Sequence, residues 1–141
     1  MQIHKLIISI GIVGFLLTAC KKEAVKDGNT VITLATPKGF PYPTIPVDNQ
    51  PTENRIALGK KLFFDPILSR DSSLSCSSCH LESYHFAEPK DISIGIENRK
   101  GIRNAPSILN SAWLKLVMWD GGIPTLEQQI LAPIDAHFEF D

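Results

Sequence analysis

Hydrophobic positions fall into separate stretches along the chain, each with its own spacing. Leu6 to Leu17 is a near-continuous apolar run, interrupted only by Ser9 and two glycines. From Lys21 to Pro51 the pattern has little period, and Pro37, Pro41, Pro43, Pro46 and Pro51 recur instead. Such spacing favours extended, semi-rigid backbone. Val31-Ile32-Thr33-Leu34 fits either a short strand or a length of arm lying on a domain. Ile56, Leu58, Leu62 and Phe63 then suggest a short amphipathic helix, with Thr52 as N-cap and Pro66 beyond its end. A second short helix is expected around residues 76–80. Gly95 and Gly101 sit in a loop of turn formers. Pro106 suits a first helical turn, so a third helix is expected from there to about Met118. Asp120-Gly121-Gly122 breaks the chain, Thr125 opens a last helix with Gln128 in capping-box position, and Pro133 is expected past its end. No run has the period-2 alternation of a sheet. The pattern predicts a mostly α fold with long loops.

The first apolar run changes how the N-terminus is read. Lys5 precedes it, and it is shorter than the roughly 20 apolar residues a spanning helix needs. That is the form of a signal peptide. Leu17-Thr18-Ala19-Cys20 resembles a bacterial lipoprotein box, and Lys21-Lys22-Glu23 follows at once. The expectation is a signal peptide over 1–19 and a lipid on Cys20 that holds the protein at a membrane in the periplasm. A plain secretory signal and an uncleaved anchor are the alternatives. Residues 20–51 then form a Pro-rich tether or arm, and residues 52–141 the folded domain.

Composition adds little beyond this. The chain of 141 residues is 43% hydrophobic and 21% charged, with a formal net charge of -1, so nothing points to nucleic acid as a partner. The three cysteines are more informative. With Cys20 lipidated, Cys76 and Cys79 remain, and they lie in Cys76-Ser77-Ser78-Cys79-His80. This spacing lets two thiols reach the two vinyl groups on one edge of a porphyrin and sets the next residue's imidazole under the iron. It is the signature of covalent c-type haem attachment, with His80 as iron ligand. A CxxC pair alone would suggest a thioredoxin-like redox site or half a zinc site. There is no second CxxC to complete a zinc site, and an exported address suits haem attachment. No cysteine pair is left for a disulfide.

A haem with two strong protein ligands relays electrons, whereas one with a vacant position can bind peroxide. Candidate sixth ligands are few. His85 is too near His80 in sequence to reach the opposite face and reads as a surface or second-layer residue. Met118 lies at a suitable distance, although a methionine in a helical pattern reads first as core. His137 reads as solvated, and His4 is lost with the signal.

Several stretches together resemble the N-terminal haem domain of bacterial di-haem cytochrome c peroxidases, the family that includes MauG. Leu58-Gly59-Lys60-Lys61-Leu62-Phe63-Phe64-Asp65-Pro66 is similar to its opening helix, and Leu68-Ser69-Arg70-Asp71 leads into the haem motif. Arg103-Asn104-Ala105-Pro106-Ser107, Trp119-Asp120-Gly121-Gly122 and the run from Thr125 to Pro133 resemble later hallmark stretches, in order. The resemblance covers about Leu58 to Asp141. It implies a cytochrome c-like haem domain and the reduction of hydrogen peroxide to water. Electrons would come from a small redox protein such as a cytochrome c or cupredoxin. It also implies a second haem in a further domain and a homodimer. His80 would be the proximal ligand, Asn104 a ligand of an inter-domain calcium, Trp119 the bridge between the haems, and Gln129 with Glu139 the distal groups that handle peroxide. Asn104 as a helix cap, Trp119 as core filling and Gln129 on a solvated helix face are the plainer readings.

The chain departs from the family pattern twice. In Ser93-Ile94-Gly95-Ile96-Glu97, Ile96 stands where many members have a ligating histidine. This resembles the MauG-like branch, whose site is open without activation and whose members also oxidise other substrates. The second haem motif is also missing from these 141 residues, so they are expected to be a fragment. A mono-haem electron relay, or a domain in which haem is purely structural, are the competing expectations.

Overall fold

The structure, a computed structural model, describes residues 27–141. The expected signal peptide and the lipidation site at Cys20 lie outside the described residues. Three α-helices organise the described chain: α1 (Glu53–Phe64), α2 (Cys76–Cys79) and α3 (Leu126–Asp135). Long irregular connections with short 3-10 turns join them. Among the described residues there is no sheet, only four isolated bridges: Val31 with Thr52, Leu81 with Ala87, Ile94 with Lys100 and Val117 with Ile123. No helix among them is long and apolar enough to cross a membrane.

Helix α1 follows the local chemistry closely. Thr52 is its N-cap, and its Oγ1 accepts from the Arg55 N–H at 3.2 Å. Glu53 in the first turn and Lys61 in the last complement the helix dipole. Asp65 ends it: the Asp65 N–H donates to the Lys61 carbonyl, and Pro66 opens the next turn. Helix α3 is capped by Thr125, whose Oγ1 accepts from the Gln128 N–H at 3.2 Å.

Two expectations need correction. Pro133 does not follow α3 but lies inside it. It brings no N–H to the Gln129 carbonyl one turn back, so the helix continues with one fewer internal hydrogen bond. The helix expected from Pro106 to Met118 is absent; the segment holds only the 3-10 turn Ser111–Trp113. Asn110 there is left-handed, at φ 59°, which no α-helix tolerates in its interior. Met118 is likewise not core, being 47% exposed with a φ of 71°.

The buried apolar side chains are Ile96, Val117 and Phe140. Ile96 and Phe140 mark where the glycine loop meets the last residues, and Val117 is bridged to Ile123. The Ile96 N–H donates to the Glu139 carbonyl at 2.9 Å, and the Arg70 N–H to the Phe140 carbonyl at 3.0 Å. Gly95 permits this approach, because a Cβ there would sit 2.1 Å from the Phe138 carbonyl oxygen. On the other side, residues 31–49 lie along the domain. The Trp113 indole N–H donates to the Pro41 carbonyl at 2.9 Å, and Phe40 meets the Trp113 ring edge-on at 4.8 Å. Asn49 Nδ2 donates to Glu127 Oε1 of α3 at 3.2 Å.

Candidate functional site

The single turn of α2 sets Cys76 and Cys79 on one helix face. Serines hold its start: the Ser75 N–H donates to Ser78 Oγ at 3.0 Å, and the Ser78 N–H returns to the Ser75 carbonyl at 2.9 Å. His80 closes the turn, its N–H donating to the Cys76 carbonyl at 2.9 Å. The chain then bends sharply through His85 and Phe86, both left-handed, with φ of 54° and 57°. The bend is clamped by the Leu81–Ala87 bridge and by the Phe86 N–H donating to the Leu81 carbonyl at 2.8 Å. Its product is a carbonyl aimed at an imidazole: His80 Nδ1 lies 2.9 Å from the Phe86 oxygen. A carbonyl only accepts, so Nδ1 carries the proton, and the lone pair of neutral His80 resides on Nε2.

Cys76 and Cys79 are free and half-buried. Burial pushes both thiols up, Cys79 to about 11, where Glu88 and Glu139 add to the effect. A redox-active CxxC pair needs a lowered thiol instead. Among the described residues, there is no group of three or more His, Cys, Asp and Glu side chains that could hold a metal ion.

Glu139 is half-buried and pinned. Its carbonyl accepts from Ile96, and its N–H donates to the Ala136 carbonyl at 2.8 Å. Burial raises its carboxyl, opposed by the nearby His80. The structure thus gathers Cys79, His80 and Glu139 into one neighbourhood. Gln129 sits half-buried on α3, and its Oε1 is buried without a hydrogen-bond partner. Asn104 and Trp119 come together elsewhere. The Trp119 indole N–H donates to the Asn104 carbonyl at 3.1 Å, and Trp119 is 58% exposed, so it fills no core. Asn104 caps no helix, since none begins at Pro106. Ile96 is fully buried. His85 is exposed. His137 is exposed too and pairs with Asp141 at 2.8 Å.

Residues 53–141 match the family described as di-haem cytochrome c peroxidase. The chain belongs to that family. It is 38% identical over 96 residues to a methylamine utilization protein MauG of Methylophilus methylotrophus, covering 68% of this chain and 29% of that protein. It is 38% identical over 103 residues to a cytochrome c551 peroxidase of Pseudomonas aeruginosa, covering 72% and 30%. The crystal structure of a MauG-like protein associated with microbial copper homeostasis superposes with a TM-score of 0.70 at 41% identity, covering 75% of this chain and 31% of that one. The chain therefore spans less than a third of the length of these relatives.

This is a family of oxidoreductases with haem c, and the residues present fit such a group. Two free thiols lie on one helical face, the next imidazole has its other nitrogen committed to a carbonyl, and a buried amide oxygen on α3 lacks a partner. The sparse core and the exposure of Leu114, Leu116, Trp119, Ile130 and Leu131 fit a domain that packs around more than its own side chains.

Three local features carry no signal in the sequence. The Phe86 carbonyl is invisible there, because a main-chain acceptor has no residue signature. Glu88, on which the sequence pattern is silent, is only 5% exposed. Ser93, part of the glycine loop, donates its Oγ–H to Glu88 Oε2 at 2.5 Å.

Proposed function

We propose that this chain is a peroxide-reactive haem c domain, with thioethers to Cys76 and Cys79 and His80 on the iron. The observation that carries the reading is the hydrogen bond from His80 Nδ1 to the Phe86 carbonyl, directly after CxxC. It holds the ring and leaves Nε2 free, so that Nε2 would be the atom to ligate iron, as outer hydrogen bonds arrange for ligating histidines. When bound, haem supplies an iron centre that accepts a peroxide oxygen and exchanges electrons. The protein's part is to handle protons and orient substrate. Glu139, its carboxyl raised by burial, takes the proton from the near oxygen of hydrogen peroxide and delivers it to the far one, which leaves as water. The Gln129 amide, with its buried unpartnered oxygen, orients peroxide. Trp119, with its ring exposed and its N–H anchored, lies on the electron route to a second haem in the remainder of the protein. Asn104 contributes to a calcium site between the domains.

The electron donor in this reading is a small redox protein such as a cytochrome c or cupredoxin, and the assembly is a homodimer. The lipid on Cys20 holds the protein to a membrane in the periplasm. A second reading, favoured by Ile96 in place of a histidine, is an oxidase of the MauG type acting on a substrate other than the peroxidase donor.

Denaturing electrophoresis with haem staining tests the attachment. The wild-type chain should stain, and C76S/C79S should not; an unstained wild-type band would overturn the proposal. In the complete protein, steady oxidation of a reduced donor cytochrome by peroxide supports the peroxidase. Reaction with peroxide without donor turnover supports the MauG-type oxidase.

A further inference from the structure

One guanidinium holds the chain on both sides of Glu139. Arg99 Nη1 donates to the His137 carbonyl at 2.7 Å and to Asp141 Oδ2 at 2.8 Å. These two acceptors use both of its hydrogens, and they lie two residues before Glu139 and two residues after it. Arg99 is itself tied to the glycine loop. Its N–H donates to the Ile96 carbonyl at 3.0 Å, and its carbonyl accepts from the Gly95 N–H at 2.8 Å. The same loop holds Glu139 directly, because the Ile96 N–H donates to the Glu139 carbonyl at 2.9 Å. The remaining charges balance around this grip. Arg99 Nη2 donates to Glu97 Oε2 at 2.5 Å, and Arg70 Nη2 to Glu97 Oε1 at 2.6 Å. Arg70 Nη1 pairs with Asp141 Oδ2 at 2.5 Å, and His137 Nδ1 lies 2.8 Å from Asp141 Oδ1. Two arginines are thus matched by two carboxylates. The Arg70 side chain bonds carboxylates alone, whereas that of Arg99 also holds a main-chain carbonyl.

We propose that Arg99 is a positioning residue for the reaction with peroxide: its guanidinium, anchored on the glycine loop, grips the chain on both sides of Glu139 and fixes where that carboxyl stands. The inference rests on the reading of Glu139 as the acid/base group. Such a group must lie within hydrogen-bond reach of the proton it moves, and a misplacement of about 1 Å can cost about a hundredfold in rate. Glu139 lies past the end of α3, so no helix fixes it, and the grip has to come from side chains and the neighbouring loop. A planar guanidinium suits the task, since its donors point in fixed directions toward several acceptors at once. A lysine would bring the charge without that geometry.

The test is stopped-flow mixing of the complete, haem-loaded protein with hydrogen peroxide. R99Q should slow the reaction roughly tenfold to a hundredfold, with haem stain and visible spectrum as in wild type. R99K should recover part of the rate. R70Q removes an equal charge from the same network and should slow the reaction less than R99Q. A double-mutant cycle separates positioning from general loosening of the fold: adding R99Q to E139Q should cost nothing further, because the group being positioned is gone. If R99Q does not take up haem, R99K takes its place in the cycle, and its rate should lie between wild type and E139Q. A wild-type rate in R99Q, or in R99K where R99Q fails, overturns the proposal. So does an R70Q loss equal to that of R99Q, or a full further loss when the Arg99 change is added to E139Q. A wild-type rate in E139Q overturns the role of Glu139 itself, so the two failures are told apart by that single variant.

Discussion

At the scale of single residues, the site depends on groups whose ordinary behaviour has been altered by their surroundings. Glu139 is the clearest: burial raises its carboxyl, which suits the proton transfer proposed for it. In the complete, haem-loaded protein E139Q should slow the reaction with peroxide about a hundredfold, the usual scale for a lost acid/base group, while Q129A costs less. Stopped-flow mixing reads this directly, and E139Q at wild-type speed would remove Glu139 from the chemistry. Asp141 shows the opposite shift. Its hydrogen bond from Arg99, then that from His137, with Arg70 nearby, hold its carboxyl at about 2, below the ordinary 3.8. A lowered acid contributes stability that is complete above the unfolded value and is lost as pH falls toward the folded one. Thermal melts of wild type and D141N should therefore differ most above about pH 5 and converge near pH 2, and added salt should shrink the gap. His85 offers a third case: it is exposed and left-handed, at φ 54°. H85G should raise stability by about 0.5–1 kcal/mol, the relief of αL strain less the added chain entropy. Urea unfolding measures it, and an unchanged haem spectrum in the same variant excludes His85 as a ligand.

Among the elements, what could be read from sequence was what is decided locally. The Thr52 and Thr125 caps need only a hydroxyl three residues before an N–H, so both helix starts were legible. Replacing Thr52 by Ala should cost about 1 kcal/mol in chemical denaturation. The Cys76-to-His80 turn was legible for the same reason. The segment after Pro106 was not. Ile108, Leu109, Leu114 and Leu116 have apolar character, but all four remain exposed, so no partner surface among the described residues draws the segment into a helix. Pro133 reads as a stop in the sequence, whereas α3 carries it two residues before its end. The burial of Glu88 was illegible, since its donor Ser93 reaches it through loop geometry and not through any short-range pattern. Glu139 was legible only through resemblance; its pairing with the glycine loop spans more than 40 residues of chain.

For the whole molecule, the proline-rich arm is part of the packed structure and not a free leash. Trp113 is its anchor, through one hydrogen bond to Pro41 and one ring contact with Phe40. Losing both should release about 1–2 kcal/mol of local stability. W113A should then be cut within residues 37–47 roughly 5–30 times faster by a protease at low dose, before the domain is touched. Mass spectrometry of the first fragments checks this, and equal cutting rates would show that the arm is held elsewhere. The isolated bridges carry a further consequence, for the order of assembly. Leu81–Ala87, Ile94–Lys100 and Val117–Ile123 each close a ring of a few residues. Rings this small form within about 100 ns and lose little chain entropy. The joins of Arg70 to Phe140 and Ile96 to Glu139 are of high contact order and come late. The imidazole of His80 is thus oriented while the chain is still largely open, and the carboxyl of Glu139 is delivered last.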